Sequence, residues 1–171
     1  DVRVTYLDAG AAATLVQKPI GEQRFAGNAV PRLLELTAGS PYYTMMFCAR
    51  LVDYMNATRS AIVTEADVLA VESEMLRGDR RLTRDKFDNL LCAGDGAIDS
   101  GIDPDDTYAV CSAIARSSDR GWCSRDSIRG YDAGALDGLL ADIERRDVAE
   151  RKGTAYRLRV GLFRDWLVMQ G

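Results

Sequence analysis

The side chains that most enzymes use for acid–base and nucleophilic chemistry are scarce in this sequence. It contains no histidine, which removes the commonest general base and most zinc and iron ligand sets. No CxxC pair is present, and three of the four cysteines stand beside apolar residues in segments with helical periodicity. We therefore expect buried thiols, in a cytoplasmic protein, at Cys48, Cys92, Cys111 and Cys123.

The carboxylates offer no catalytic arrangement either. The densest group, Asp103, Asp105 and Asp106, stands at a predicted helix start, where negative charge interacts favourably with the helix dipole. A calcium site is the alternative there. The sequence lacks GxxxxGK[ST], GxGxxG and GxSxG, so it carries no P-loop, no dinucleotide fingerprint and no nucleophile elbow. We expect a chain that is not itself an enzyme and holds no cofactor of its own.

The composition indicates a globular chain that is not built as a general polyanion binder. The 171 residues are 47% hydrophobic and 28% charged, with a net charge of −4. No apolar run approaches the ~18 residues that cross a bilayer, so we expect no membrane partner. The sequence starts at Asp1 with neither methionine nor leader, from which we expect a piece of a longer protein.

The elements that position these residues are predicted to be mainly α-helical. In residues 1–77, an alternating stub at Val2, Val4 and Tyr6 precedes four predicted helices that form a small bundle. The first helix is expected to stop before Pro19, because a residue preceding proline is pushed out of the helical region. The predicted N-caps of the four helices are Asp8, Asn28, Ser40 and Thr64.

The rest of the chain is predicted to be a linker and a winged helix-turn-helix domain. Residues 78–102 are assigned to a linker helix and an exposed glycine-rich loop. Residues 103–171 show the order helix, helix, helix and hairpin, with the hairpin turn at 152–154 forming a C-terminal wing. The predicted helices end near Ser117, span 124–129, and run from about Ala133 to Arg145, and a final apolar helix follows the hairpin.

One short motif, Leu36-Thr-Ala-Gly-Ser-Pro-Tyr-Tyr43, lies directly ahead of the third helix. In physical terms it is a helix-ending glycine, a serine able to cap the next helix and a first-turn proline followed by two aromatic residues. With its surroundings, including Phe47–Asn56 and Val63-Thr-Glu-Ala-Asp-Val68, it resembles the helical lid that follows the P-loop core in STAND-type and related AAA-like ATPases. Residues 103–171 likewise resemble the winged helix that follows such lids.

The resemblance implies a nucleotide-contacting role for the motif. Gly39, Ser40 and Pro41 would be the family's GxP element, with Tyr42 beside it, contacting ATP or ADP that a P-loop core elsewhere in the parent chain binds with magnesium. The implied partners are that core and the neighbouring domains, with homo-oligomerisation on activation. Many AAA lids carry a sensor arginine where Tyr42 and Tyr43 stand here, and this departure favours a STAND-like signalling ATPase.

The alternative is a DNA-binding winged-helix transcription regulator, with residues 1–77 as a dimerisation or sensing bundle. Its predicted recognition helix, 132–146, holds four acidic residues against two arginines, which opposes approach to a duplex. The candidate phosphate contacts are Arg125, Arg129, Arg151, Lys152, Arg157 and Arg159. A catalytic domain of unknown type has only scattered carboxylates and thiols in its favour.

Overall fold

The computed structural model describes residues 6–21, 24–92, 102–117 and 121–170. In these ranges the protein is mainly α-helical with one small antiparallel sheet, which confirms the predicted mainly α class. The chain groups into two compact units: Asp1–Arg81 with Val160–Leu162, and Leu82–Arg159 with Phe163–Gly171. No helix in the described ranges has both the length and the apolar character needed to cross a membrane.

The first unit is a bundle of four helices. They are α1 (Ala9–Ile20), α2 (Ala29–Thr37), α3 (Pro41–Thr58) and α4 (Glu65–Arg77). Their apolar residues recur at helical spacing and meet in one core, because each helix buries a single face. The largest buried side chains of this core are Leu33, Leu36, Tyr43, Phe47, Leu51 and Met75.

Two of the predicted caps act as expected. The Asp8 carboxylate accepts a hydrogen bond from the Ala11 N–H at 2.9 Å, so it caps α1. Thr64 and Asp67 form a reciprocal capping box at the start of α4, in which the Thr64 N–H donates to Asp67 Oδ2 at 2.8 Å. These local bonds fix where both helices begin.

Other predictions for the first unit need correction. Helix α1 continues through Pro19 to Ile20, because a following proline disfavours the helical conformation of Lys18 without forbidding it. The Asn28 side chain does not cap α2; its Nδ2 donates to Glu65 Oε1 at 3.2 Å. Val2 and Val4 of the predicted strand stub lie outside the described residues, as does the predicted loop at 93–101.

The second unit combines short helices with a three-stranded sheet. A 3-10 turn at Arg84–Phe87 leads into the short helix α5 (Asp88–Leu91). The elements that follow are α6 (Pro104–Arg116), β1 (Cys123–Ser124), a 3-10 turn at Arg125–Ser127, α7 (Ala133–Arg145), β2 (Ala149–Lys152), β3 (Ala155–Leu158) and α8 (Gly161–Met169). The helix predicted at 124–129 is therefore only the 3-10 turn.

The sheet has the strand order β1–β3–β2, with both pairs antiparallel. Lys152 pairs with Ala155, so the hairpin turn is the predicted one, and Gly153 takes a φ of 62° in it. The first strand, β1, was not predicted, since two residues are too short to show an alternating pattern. On β3, Tyr156 and Leu158 are buried as the alternation predicts.

The start of the second unit contributes to its core. The Phe87 ring lies 5.0 Å from that of Phe163 and 4.9 Å from that of Trp166, and the Trp166 Nε1 donates to the Leu82 carbonyl at 3.0 Å. Residues from Leu82 onward, which the sequence assigned to the linker, therefore pack as part of this unit. Their apolar side chains Leu82, Phe87, Leu90 and Leu91 are buried.

A buried ion pair at the C-terminal end of α7 also bonds the residues at the end of α5. Asp142 is 5% exposed and accepts from the Arg146 Nε at 2.7 Å. The Arg146 guanidinium also donates to the carbonyls of Leu90, at 2.8 Å, and Cys92, at 3.3 Å. The Arg146 charge is thus balanced by Asp142, and the carbonyls of Leu90 and Cys92 accept its other hydrogen bonds.

Candidate functional site

The predicted nucleotide contacts occupy the turn that connects α2 to α3. Ala38 and Gly39 take positive φ values of 54° and 71°, which ends α2 in the left-handed conformation. The Ala38 N–H donates to the Leu34 carbonyl at 2.8 Å, and the Ser40 N–H donates to the Thr37 carbonyl at 2.9 Å. The chain therefore passes from one helix to the next within a few residues. We call residues 38–42 the connecting turn.

Gly39 is required on two counts. Its φ lies in the region that glycine occupies without steric cost. A Cβ added to it would lie 2.9 Å from the Leu7 carbonyl oxygen and 3.2 Å from the Ala12 Cβ. The Leu7 N–H donates to the Gly39 carbonyl at 3.1 Å, so the segment that enters α1 lies directly against the connecting turn.

The start of α3 lacks a side-chain cap. Ser40 is the N-cap residue and its carbonyl accepts from the Thr44 N–H at 2.9 Å, but its hydroxyl makes no capping hydrogen bond, contrary to the prediction. Pro41 begins the helix and has no N–H to satisfy. The positive end of the helix dipole is therefore not offset by a capping side chain, which is the arrangement that suits an anion.

Tyr42 stands beside this helix start and is 49% exposed. Its ring meets the Tyr43 ring edge-on, with 5.0 Å between the centroids, and Tyr43 is fully buried. The buried neighbour anchors one side of the Tyr42 ring and leaves the remainder accessible for stacking.

Two buried hydroxyl groups, which the sequence analysis missed, stabilise the connecting turn. Thr44 Oγ1 donates to Thr37 Oγ1 at 3.2 Å, and Thr37 Oγ1 donates to the Leu33 carbonyl at 3.0 Å. Both threonines are fully buried. The bond joins the last turn of α2 to the first turn of α3, and the sequence signals it only by a threonine on each side of the connecting turn.

The candidate phosphate contacts lie in the second unit, and the structure pairs several of them. The Arg125 Nε donates to Asp137 Oδ1 at 2.6 Å, and its Nη2 donates to the Ala133 carbonyl at 3.3 Å. The bond to Asp137 raises the pKa of Arg125 and lowers the pKa of the Asp137 carboxyl. Asp137 lies on α7, so the predicted recognition helix itself neutralises this arginine.

The wing arginines have partners as well. Arg157 donates from Nε to Glu150 Oε1 at 2.6 Å and lies over the Trp122 ring, 4.8 Å from its centroid. Arg151 donates to the Gly153 carbonyl at 2.8 Å. The structure also pairs Arg159 with Asp147 at 3.4 Å.

Arg129 and Lys152 complete the candidate set. Both side chains are exposed. Neither has a carboxylate partner within the described part of the chain. Arg151, which bonds only the Gly153 carbonyl, makes no ion pair in that part of the chain either. The structure thus leaves three of the six candidate cations without an ion pair among these residues, and it does not bring the six into one uninterrupted basic patch.

The thiols are mostly buried, as predicted. Cys48, Cys111 and Cys123 are buried, while Cys92 is partly exposed. Burial raises the pKa of Cys48 to about 11 and that of Cys111 to about 12, so both remain protonated at neutral pH. Among the described residues no group of three or more acidic or cysteine side chains is placed to hold a metal ion.

Similarity to known proteins gives no independent assignment. No protein-family model, no curated protein and no solved structure matches this chain. A functional assignment therefore depends on the residues and contacts described above.

Proposed function

We propose that this chain is the regulatory, non-catalytic part of a nucleotide-dependent signalling ATPase of the STAND type. In this proposal the first unit is a lid whose residues Gly39, Ser40, Pro41 and Tyr42 contact ATP or ADP. The nucleotide and its magnesium ion are held mainly by a P-loop core in the parent chain. The second unit is a winged helix that relays the state of the lid through protein contacts.

The observation that carries the proposal is the helix start behind the connecting turn. An 18-residue helix begins there without a side-chain cap, and a half-exposed tyrosine stands at its second position. The backbone N–H groups and dipole of such a helix start favour the negative charge of a nucleotide. The Tyr42 ring, together with Pro41, supplies an apolar surface for a base or sugar. The two features are adjacent because Tyr42 is the second residue of this helix.

The winged-helix assignment of the second unit is supported by its element order. A helix, a short strand, a 3-10 turn, a longer helix and a hairpin follow one another, and the sheet order is β1–β3–β2. The ion pairs of Arg125 and Arg157 favour a protein-contact role over DNA binding. An arginine that is already paired with a carboxylate of the same chain contributes less to the affinity for DNA phosphates. These contacts also hold the wing and α7 in fixed local geometry.

The proposed mechanism is a population shift. Nucleotide bound by the core contacts the connecting turn in only one lid orientation, and so it stabilises that orientation by the free energy of those contacts. A difference of about 1.4 kcal/mol changes the ratio of two orientations about tenfold, which a few polar and stacking contacts can supply. The winged helix then reports the favoured orientation to neighbouring domains.

The test is ADP binding by the parent chain with Tyr42→Ala, compared with Met45→Ala. Met45 lies one turn further along α3 and is similarly exposed, at 54%, so it controls for loss of an exposed apolar side chain. We expect Tyr42→Ala to raise the ADP dissociation constant roughly tenfold, because stacking of a base on an aromatic side chain is worth about 1–3 kcal/mol. Met45→Ala is expected to leave it unchanged. Equal affinities for wild type and Tyr42→Ala would contradict the proposal.

A DNA-binding regulator remains the second candidate, and the exposed Arg129, Arg151 and Lys152, which make no ion pair among the described residues, favour it. Three phosphate contacts or fewer give weak, non-specific binding with a shallow salt dependence. Specific binding also needs side chains that reach base edges from α7. The Asp137 carboxylate on that helix is engaged with Arg125 and has the wrong charge for a phosphate neighbour.

A further inference from the structure

The connecting turn is held from two sides. On one side, the buried Thr37–Thr44 hydroxyl pair joins α2 to α3. On the other, the Leu7 N–H donates to the Gly39 carbonyl at 3.1 Å, and the Leu7 carbonyl oxygen occupies the space that a side chain on residue 39 would need. Leu7 belongs to the short segment that leads into α1, not to any helix of the bundle.

We propose that this lead-in segment is a latch on the connecting turn. With Leu7 in place, its N–H holds the Gly39 carbonyl and fixes the orientation of Ser40, Pro41 and Tyr42. When Leu7 is withdrawn, the carbonyl loses its partner, the space against Gly39 opens, and the start of α3 rotates or frays. The latch rests on the proposed function, since it adds regulation to the same nucleotide-contacting turn.

The packing explains why the coupling is tight. A side chain on residue 39 would meet the Leu7 carbonyl oxygen and the Ala12 Cβ, and Ala12 is 1% exposed. A displacement of the turn toward Leu7 is opposed because the Leu7 carbonyl oxygen already occupies the space beside residue 39. A displacement away from Leu7 breaks the hydrogen bond. Separating the turn from the lead-in segment therefore costs this hydrogen bond, which couples their positions.

The latch gives the lid an input besides the nucleotide. Any event that pulls on the chain ahead of α1 is transmitted to residue 39 by one hydrogen bond and one backbone contact. By linkage, a nucleotide that favours the present turn also favours the seated lead-in segment to the same extent. The two inputs are thus reciprocal, and each biases the same local element.

Amide hydrogen exchange on this chain, without nucleotide, tests the latch. The reporting amides are those of Leu7, Ser40 and Thr44, each of which donates a backbone hydrogen bond at or beside the connecting turn. The reference amide is that of Ser60, which donates to the Met55 carbonyl at 3.1 Å near the far end of α3. A Leu7 amide that exchanges as fast as an unstructured peptide in the wild type overturns the proposal with no variant needed.

Leu7→Pro removes the donor, whereas Leu7→Ala removes only the side chain. We expect Leu7→Pro to accelerate exchange at Ser40 and Thr44 at least about tenfold while Ser60 is unchanged, because the opening is local. Leu7→Ala is expected to leave these rates close to those of the wild type. Unchanged Ser40 and Thr44 rates in Leu7→Pro, or equal acceleration by Leu7→Ala, overturn the latch.

A second pair of variants separates the contact from backbone strain. Gly39 and Gly27 both take positive φ, 71° and 58°, but a Cβ on Gly27 meets nothing within 4 Å. We expect Gly39→Ala to accelerate exchange at Leu7, Ser40 and Thr44, and Gly27→Ala to spare all three. Equal rates at Leu7 in the two variants overturn the latch. Because no nucleotide is present, these outcomes are independent of the ADP-binding test.

Discussion

Arg125 and Asp137 form a hydrogen-bonded ion pair between the 3-10 turn and α7, with 2.6 Å between Nε and Oδ1. Arg125 is a predicted phosphate contact, and Asp137 lies on α7, the helix that a DNA-binding winged-helix domain would insert into the major groove. Glu150 and Arg157, directly opposite each other on β2 and β3, repeat the arrangement on the wing. Positive charge in this unit is thus largely balanced locally.

The first prediction concerns DNA. We expect no measurable binding of duplex DNA by this chain at ~50 mM or ~200 mM salt, because non-specific affinity requires several unpaired cations on one surface. Fluorescence anisotropy with a labelled duplex measures it. Measurable affinity that falls with salt, and that Arg129→Ala together with Lys152→Ala weakens, would support the DNA-binding alternative instead.

The second prediction concerns the capping box of α4. Thr64→Ala removes the side chain that accepts from the Asp67 N–H, and we expect it to lower the free energy of unfolding by about 1 kcal/mol. Thr83→Ala is the matched control, since Thr83 also precedes a helical turn but makes no capping bond to the backbone. Urea denaturation measures both. Equal losses in the two variants would show that the box contributes nothing specific.

The third prediction concerns the buried ion pair of α7. Asp142→Ala leaves the Arg146 charge buried with only carbonyl partners, and we expect a loss of about 3–5 kcal/mol in unfolding free energy. Glu144→Ala, at an exposed position of the same helix, is expected to change stability by less than ~0.5 kcal/mol. Chemical denaturation checks both. A loss for Asp142→Ala no larger than that for Glu144→Ala would refute the structural role.

The fourth prediction concerns alkaline pH. The pKa values of Cys48 and Cys111 lie above the ordinary value of 9.0, at about 11 and about 12. Between pH 9 and these values each thiol is protonated in the folded protein and loses its proton on unfolding. Stability is therefore complete below pH 9 and falls as the pH rises toward 11 to 12, with a slope of up to ~1.4 kcal/mol per pH unit for each thiol.

Thermal unfolding of wild type and of a Cys48→Ala, Cys111→Ala double variant between pH 8 and pH 11 measures this slope. We expect the double variant to lose less stability over that range. Identical pH dependence in the two proteins would show that the thiols do not account for it.

The sequence was most informative where structure depends on neighbours within a turn of helix. The boundaries of α6 and α7 and the caps at Asp8 and Thr64 follow from residues three or four positions apart, and all are found. Non-local partners were not predictable. Asn28 does not cap its own helix, because its backbone, at φ −92° and ψ 14°, is not in the extended conformation of a capping residue. Its Nδ2 instead donates to Glu65, which is distant in sequence.

In the candidate site, too, the local features could be predicted from the sequence and the contacts between distant residues could not. The positive φ of Gly39 and the helix start at Pro41 follow from the motif itself. The contact with Leu7 depends on how α1 packs in the bundle, and no local pattern encodes it. The partners of Arg125 and Arg157 likewise come from other elements of the second unit, which is why charge counting alone left the wing more basic than it is.

The most direct measurement of the central claim is photo-crosslinking of the parent chain with an azido-substituted ADP. Trypsin cleaves after Arg32 and Arg50 and releases residues 33–50, which contain the whole connecting turn. The account predicts label in that peptide at 39–42, and loss of it when unmodified ADP competes. Efficient labelling of the parent chain with none in residues 33–50 would contradict it.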